Sequence, residues 1–442
     1  MEIIKNILIK ILLNNIEIIY WFLAIIILLE LFFYFVVNSL SKFYDKSYDW
    51  KKNKLITNLI TKKDIKIKID KAELLKNKIY FFDKELGTTN KKNITNSESF
   101  YEGRRLFKSK YSIGKEGERS NLKFSSYKNL ISTYGDSLTF CRYVNDYETW
   151  QYQMSKRLKK DIKNFGVGNY GLDQAYLKYK LNKKKKIDKS KIVIFGFGPE
   201  TIRRNLSTWK HLFEFGNYYN FKPRFKKIDD KNFKFIKNEI KDLDQLKKSE
   251  SIFEKVAHND FFYKKKFLRY VWKFPYVLSL TKQPLRRIIL ISFLISKFFE
   301  INFKTKLLAK INKFIYKDLY TFGPLIYDFK DKIELFNSDE AIKTTVHIIK
   351  QIKKINKNLV IVLIPSHLDF HHFKKNNRNY YDPLIEEISK ITFCIDVARL
   401  IPKKIKINDI YTEKGYGAHL NKKGNQILSD LIINNLKKNA II

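Results

Sequence analysis

Cysteine is scarce in this chain of 442 residues, which contains only Cys141 and Cys394. A chain of this length can bury a substantial hydrophobic core and does not need disulfide staples. Both cysteines lie in apolar segments typical of regular elements, which predicts buried thiols rather than a disulfide or a metal-binding pair. The histidines His367, His371 and His372 match no metal-site spacing. We therefore expect no metal and no cofactor.

Acidic residues are few beside basic ones, with 45 Asp and Glu against 87 Lys and Arg and a net charge of +42. Such a balance usually suggests nucleic acid or an anionic membrane as a partner. The lysines, however, are spread along the whole chain among many isoleucines and asparagines, which indicates a compositional bias rather than a patch built for one ligand. No nucleic-acid recognition motif accompanies the charge, so we expect no nucleic-acid partner.

The amino end carries the longest apolar run. Residues 18–37 are interrupted only by Glu30 and are long enough to cross a hydrocarbon core of about 30 Å. The run lacks the short apolar core and small-residue cleavage site of a removable signal peptide, so residues 1–40 are predicted to form an amphipathic segment and a retained transmembrane helix. Glu30 at depth costs about 2.5 to 3.5 kcal/mol, which the surrounding apolar residues can outweigh. We interpret Glu30 as an isolated, tolerated carboxyl rather than as the partner of another helix.

The chain after residue 40 divides into two parts with different hydrophobic and charge patterns. Residues 41–127 are polar, lysine-rich and weakly periodic, which predicts a basic stalk or linker with some short strands. From 128 to 440, β-rich apolar runs alternate with helical stretches, which predicts an α/β domain with a parallel sheet covered on both faces. The predicted strands are 130–134, 161–167, 191–197, 359–364 and 391–396.

The alternation stops between about 211 and 337, which predicts a mainly helical insertion in the α/β domain. Its apolar stretch 288–295 is too short to span a bilayer. We interpret that stretch as a cap helix rather than as a contact with the membrane surface.

Ser137, in Gly135-Asp136-Ser137-Leu138, is the candidate nucleophile. A strand is predicted before it and a helix after it, which puts the serine near the carboxyl end of a strand, where α/β sheets bind ligands. Attack on an ester needs a base within hydrogen-bond reach, and the best candidate is His419, in a loop just before the last helix. Gly-Asp-Ser is also ordinary turn chemistry, so other segments must decide.

Four separated segments together resemble the GDSL or SGNH hydrolase family. They are Gly135 to Leu138, then 164–174, 195–205 and 417–425, in the family's order. The resemblance implies a three-layer α/β/α sandwich with a parallel, flavodoxin-like sheet. It also implies a serine esterase mechanism, in which His419 takes the proton of Ser137 and the backbone amides of Ser137 and Asn169 hold the oxyanion.

Three positions depart from the family pattern. Asn169 replaces a glycine, but its amide is retained and asparagine tolerates a positive φ. Glu200 replaces an asparagine donor, and an ionised carboxylate would oppose an oxyanion, so Glu200 must be protonated or turned away, or the activity is altered. Tyr416 replaces the triad acid. The acid is then Glu413, Asp409 or Asp396, or Ser137 and His419 act as a dyad.

These features predict a membrane-anchored serine ester hydrolase or transferase that acts on O-acyl groups, notably acetyl, of carbohydrate. The alternative, favoured by Glu200 and Tyr416, is a catalytically inactive carbohydrate-binding or assembly protein with the same fold. More lysines follow the span than precede it, so the positive-inside rule taken literally would place the domain in the cytoplasm. In so lysine-rich a chain, however, the difference in lysine number between the two sides is close to background. We expect a single-pass protein with its hydrolase domain on the extracytoplasmic side, acting on surface polysaccharide.

Overall fold

The computed structural model describes residues 2–46, 80–102, 105–213, 220–242, 244–247, 255–263, 274–281, parts of 288–315, 329–402, 404–412 and 419–442. The chain forms two compact units. The first unit comprises Met1–Lys66, His211–Asn217 and Phe261–Ile326. The second unit comprises Ile67–Lys210, Tyr218–Asp260 and Tyr327–Ile442.

The described strands are β1 (Tyr80–Asp83), β2 (Gly87–Asn90), β3 (Ile94–Glu102), β4 (Arg105–Ile113), β5 (Asn129–Gly135), β6 (Asp161–Asn164), β7 (Ile192–Phe197), β8 (Arg224–Lys227), β9 (Phe233–Ile236), β10 (Leu359–Leu363) and β11 (Phe393–Asp396). The described helices are α1 (Glu2–Lys46), α2 (Ser137–Phe140), α3 (Trp150–Leu158), α4 (Leu172–Lys184), α5 (Thr201–Arg204), α6 (Tyr276–Thr281), α7 (Lys306–Ile315), α8 (Phe329–Phe336), α9 (Asp339–Ile355), α10 (His367–Asn376), α11 (Asp382–Ser389), α12 (Val397–Leu400) and α13 (Lys422–Lys438).

Five parallel strands form the central sheet of the second unit, in the order β11-β10-β7-β5-β6. In chain order this is 2-1-3-4-5, the order of flavodoxin-like sheets. The predicted α/β class and parallel sheet are confirmed. Strand β6 was predicted to run to residue 167 but ends at Asn164. The Asn164 side chain accepts a hydrogen bond from the Gly166 amide (2.9 Å), and the chain turns away there.

Helices cover both faces of this sheet, because successive strand residues point to opposite sides. One face packs on α3 and α13 through a buried cluster that includes Ile131, Ile194, Val362, Trp150 and Leu428. On the other face, the rings of Tyr134 and Phe195 contact Tyr179 of α4. The two central strands β7 and β10 are accordingly apolar almost throughout, as expected for strands buried on both sides.

Residues 80–102 and 105–124, within the segment predicted as a stalk, belong to the second unit. Arg119 is buried and donates from Nη1 to the Phe140 carbonyl (2.7 Å) and from Nε to Asp146 (2.9 Å). Asn90 Nδ2 donates to the Gly166 carbonyl (3.1 Å). Polar contacts of this kind leave no hydrophobic period in a sequence, which is why the segment resembles a linker. Residues 47–79 lie outside the described residues.

The predicted insertion is divided between the two units. Residues 218–260 belong to the second unit and contain the β8–β9 hairpin, while 261–326 belong to the first. The buried Lys222 pairs with Asp173 and donates to the Arg204 carbonyl (3.0 Å). A buried charge of this kind is tolerated only when it is paired and hydrogen-bonded. The pair fastens the start of the insertion to the amino end of α4.

In the first unit, Asn15–Ser39 of α1 is long and apolar enough to cross a membrane, by length and composition. Glu30 within it is not isolated. Its carboxylate accepts hydrogen bonds from the backbone amides of Tyr276 (2.6 Å) and Val277 (2.7 Å) at the start of α6. The interpretation of Glu30 as a carboxyl without a helix partner is corrected by this contact.

Lys178 of α4 gives the fold a specific pH dependence. Burial lowers its pKa from 10.5 to about 7. Between these values the unfolded chain binds a proton that the folded chain has lost, so this residue makes stability rise as pH rises from about 7 to 10.5. We expect Lys178→Met to raise the melting temperature of the detergent-solubilised protein at pH 7, and expect that gain to shrink at about pH 9.5.

The control is Lys180→Met, which replaces an exposed lysine of the same helix. Differential scanning fluorimetry of the three proteins at both pH values measures the effect. An equal gain for Lys178→Met at both pH values would contradict the assignment.

Candidate active site

The turn after β5 places Ser137 at the carboxyl edge of the sheet. Gly135 ends the strand, and a Cβ there would lie 1.8 Å from the Gly196 carbonyl oxygen of β7, so only glycine allows this close approach. Asp136 then caps α2 by accepting from the Leu138 amide (2.8 Å). Ser137 therefore lies between β5 and β7, which are the first and third strands of this sheet in chain order. The strand order reverses at this point, and open α/β sheets bind ligands there.

The buried Asp136 joins this turn to the one that follows β7. Its Oδ2 accepts hydrogen bonds from the Gly198 amide (3.2 Å) and from the Thr201 hydroxyl (2.5 Å). Arg204 Nη1 lies 3.9 Å from the same oxygen. These contacts are not predicted by the sequence. The only signal was the position of Asp136 beside the serine, since its partners come more than 60 residues later.

His419 meets Ser137 across this edge, with Nε2 of the histidine 2.8 Å from the serine Oγ. The histidine backbone is fixed by Thr412, whose amide (2.8 Å) and hydroxyl (3.1 Å) both donate to the His419 carbonyl. Asn421 caps α13 by accepting from the Gly424 amide (3.0 Å). The structure thus brings together two side chains that are 282 residues apart in the sequence.

Tyr143 packs against His419, and its role was not predicted. The two rings meet edge to face with centroids 5.5 Å apart. Tyr143 has a φ of 69° and Cys141 a φ of 61°, so a short segment after α2 carries two non-glycine residues in the left-handed region. Such strain persists only where surrounding contacts hold it. Here Arg142, between them, bonds Glu98 (2.9 Å). The strained turn orients Tyr143 toward the histidine.

The backbone amides of Ser137 and Asn169 are the predicted oxyanion donors. Asn169 has a φ of 67°, a conformation that asparagine adopts more readily than most residues. Its loop is held against β5, since the Val167 amide donates to the Gly135 carbonyl (3.1 Å). Within the described part of the chain, neither the Ser137 nor the Asn169 amide donates to an acceptor. Both therefore remain available to a ligand.

Glu200, the residue expected to oppose an oxyanion, is occupied by arginines. Its two carboxylate oxygens lie 3.4 Å from Nη2 of Arg203 and 3.4 Å from Nη2 of Arg204. Arg204 is buried and also lies near Asp136. The negative charge of Glu200 is thus balanced beside the site by two cations.

The three candidate triad acids are placed differently. Asp396 caps α12 and accepts from Asn379 Nδ2 (2.7 Å) and Arg399 Nε (3.0 Å), and burial raises its pKa to about 6. The Asp409 carboxylate lies 3.9 Å from Lys423 Nζ. Glu413 lies outside the described residues, as does Tyr416. The described contacts of both aspartates are thus with groups other than His419.

A cavity of about 420 Å³ opens beside the histidine, within the range typical of small-molecule sites. Thr412 and Asn421, which flank the His419 loop, lie in its wall together with Tyr143. The rest of its lining combines an aromatic ring with polar and charged groups: Phe107, Lys108, Ser109, Val144, Asn145, Glu148, Lys422, Lys423 and Gln426.

No model of a known protein family matches the sequence, and no curated protein sequence is similar to it. Among solved structures, the chain is similar to a carbohydrate esterase whose active site is described as displaying "divergent catalytic and non-catalytic binding functions". The identity is 9%, the TM-score is 0.27, and the match covers 81% of this chain and 85% of that chain. At this TM-score the two backbones agree too loosely to assign a function.

The network around Asp136 predicts a measurable stability change. Asp136→Asn keeps the side-chain volume but leaves too few acceptor sites for the donors that converge on it. Since buried donors left unpaired each cost about 1 to 3 kcal/mol, we expect a loss of this order in the free energy of unfolding. Urea titration followed by circular dichroism checks it, with Glu386→Gln, an exposed acid, as the control. Equal stability of the two variants would contradict the network.

Proposed function

We propose that this protein is a membrane-anchored serine ester hydrolase of the SGNH type, which removes or transfers O-acyl groups of carbohydrate. The observation that carries the proposal is the 2.8 Å approach of Ser137 Oγ and His419 Nε2 at the switch point of the parallel sheet. A serine and an imidazole at hydrogen-bond distance form the nucleophile and base of acyl transfer.

The proposed reaction proceeds in two steps. His419 Nε2 accepts the hydroxyl proton as Ser137 Oγ attacks the acyl carbon, and the amides of Ser137 and Asn169 donate to the oxyanion. The carbon–oxygen bond to the alcohol then breaks, and the histidine returns its proton to the leaving oxygen. Water, or a sugar hydroxyl in a transferase, next attacks the acyl-serine by the same proton transfers in reverse and releases Ser137.

Glu413 is the proposed orienting acid for His419. Asp396 is hydrogen-bonded to Asn379 and Arg399, and the described contact of the Asp409 carboxylate is with Lys423 Nζ at 3.9 Å. A Ser–His dyad is the alternative, because loss of the third member of a triad lowers the rate by about 10⁴-fold without abolishing it.

The cavity beside His419 favours a carbohydrate as the alcohol part of the ester. The Gln426 side chain in its lining offers a donor and an acceptor for sugar hydroxyls, while Tyr143 and Phe107 offer aromatic surface. Surface polysaccharide would meet this site if α1 spans the membrane and the second unit lies on the extracytoplasmic side, as we propose.

We expect Ser137→Ala and His419→Ala each to lower kcat for a short-chain aryl acetate by about 10³-fold or more, because each removes an essential participant in proton transfer or attack. The matched controls are Ser126→Ala and His371→Ala, which replace exposed residues of the same two types. Initial rates for the purified full chain measure the effect. If the parent and all four variants hydrolyse the ester equally slowly, the inactive binding protein becomes the better reading.

The acid is tested by substitution of each candidate in turn. Glu413→Gln is expected to lower kcat by about 10⁴-fold, as loss of the orienting carboxylate does in serine hydrolases. Asp409→Asn is expected to leave kcat within about tenfold of the parent. The same is expected of Asp396→Asn when its kcat is measured at a temperature where that variant is as fully folded as the parent. Equal kcat for the parent and all three variants would favour the dyad instead, and a loss confined to an aspartate variant would make that aspartate the acid.

A further inference from the structure

The first unit contains a contact that the proposed hydrolase chemistry does not use. Glu30 lies within the apolar segment Asn15–Ser39 of α1, and its two carboxylate oxygens accept hydrogen bonds from the amides of Tyr276 (2.6 Å) and Val277 (2.7 Å). These amides belong to the first turn of α6, where helical N–H groups have no partner within the helix. The contact therefore gives each of the two amides an acceptor, and it gives the Glu30 carboxylate two hydrogen-bond donors.

The position of Glu30 along α1 fixes the depth of α6. Ser39 lies nine positions after Glu30, which is about 14 Å of helix at 1.5 Å per residue. If Asn15–Ser39 spans a hydrocarbon core of about 30 Å, Glu30 lies well inside that core. The amides of Tyr276 and Val277 must then lie at the same depth, because they are bonded directly to it.

The surface of this segment fits a lipid environment. Phe274 and Leu278 are large apolar residues with more than half of their surface exposed, as are Phe303 and Leu307 further along. A groove of about 640 Å³ within the described parts of 292–308 is lined mainly by apolar side chains, including Ile295, Phe299 and Leu308. Exposed apolar surface of this extent costs free energy in water and none in acyl chains. In α7, Lys306 and Lys310 accompany the apolar residues, as in helices that lie at a bilayer interface.

We propose that the described parts of residues 274–315 enter the bilayer beside α1 and return to the side from which they came, as a re-entrant segment in contact with bilayer lipid. The proposal rests on the proposed transmembrane course of α1. Chain connectivity sets the topology, since the segment leaves the second unit after Asp260 and rejoins it at Tyr327. Backbone groups at membrane depth must be hydrogen-bonded by protein, and Glu30 supplies the acceptors for the Tyr276 and Val277 amides. This proposal is an alternative to the cap helix expected for 288–295, most of which lies outside the described residues.

Spin labels on the full chain in proteoliposomes test the proposal. Labels are placed at Leu278→Cys in α6, at Leu28→Cys in α1, and at Ile228→Cys in the second unit; Leu278 and Ile228 have nearly equal exposure, 57% and 58%. Burial raises the pKa of the native thiols Cys141 and Cys394 to about 12, so they label slowly. The measurement is the collision rate of each label with oxygen and with a water-soluble nickel chelate.

We expect the Leu278 label to behave as the Leu28 label does, accessible to oxygen and protected from nickel, and the Ile228 label to show the reverse. If the Leu278 label resembles Ile228 while Leu28 stays protected, the re-entrant segment is refuted and the anchor stands. If the Leu28 label is also exposed to nickel, the anchor itself fails. Neither outcome depends on ester hydrolysis, so the enzymatic proposal is tested separately.

The contact itself is tested by Glu30→Leu, which makes α1 more apolar and removes only the acceptor. We expect nickel collisions at the Leu278 label to rise severalfold while those at the Leu28 label do not change. Glu17→Leu, on the same helix and exposed, is the matched control and should change neither label. An unchanged Leu278 label in Glu30→Leu would show that this carboxylate does not hold α6 in the bilayer.

Discussion

The carboxylate of Asp136 is the interaction on which the site depends. It holds the turn that carries Ser137 and the turn that follows β7, through the Leu138 and Gly198 amides and the Thr201 hydroxyl. The two turns start at the same level because Gly135 and Gly196 are paired in adjacent parallel strands. The Ser137 hydroxyl contacts His419, and the Ser137 carbonyl accepts hydrogen bonds from the backbone amides of Cys141 and Arg142. The position of the serine is therefore set by the strand ends, by Asp136 and by the turn that follows α2.

The sheet could be predicted because its information is local. Strands such as β7 and β10 are short apolar runs bounded by loops, and each can be recognised within its own few residues. The pairing of Ser137 with His419 was predicted for a different reason, since both lie in short segments whose order along the chain is typical of one family. Their 2.8 Å separation is a property of the folded chain. The sequence predicts which two residues pair but not the distance between them.

The rest of the site could not be predicted because it depends on polar contacts between distant residues. Arg119 is the clearest case, since its segment has the composition of a linker while its guanidinium is buried against Phe140 and Asp146. Glu200 is the converse case. Its charge looked unfavourable until Arg203 and Arg204 were placed beside it. A buried polar contact leaves no period in a sequence, so neither residue revealed its partner.

Carboxylates carry more structural information than basic residues in a chain with this composition. With 87 basic and 45 acidic residues, one-to-one pairing would still leave the excess of 42 basic residues without an acidic partner, so the positions of many lysines and arginines reflect the bias of the whole sequence. A buried acid, in contrast, must be compensated. Asp173 meets Lys222, and Asp260 accepts from the Ser207 hydroxyl (2.6 Å) and the Thr208 amide (2.7 Å). Glu30 accepts two backbone amides within the first unit. Each of these acids joins segments that are far apart in the chain, so in a strongly basic protein the isolated acid in an apolar stretch is the residue whose partner should be sought first.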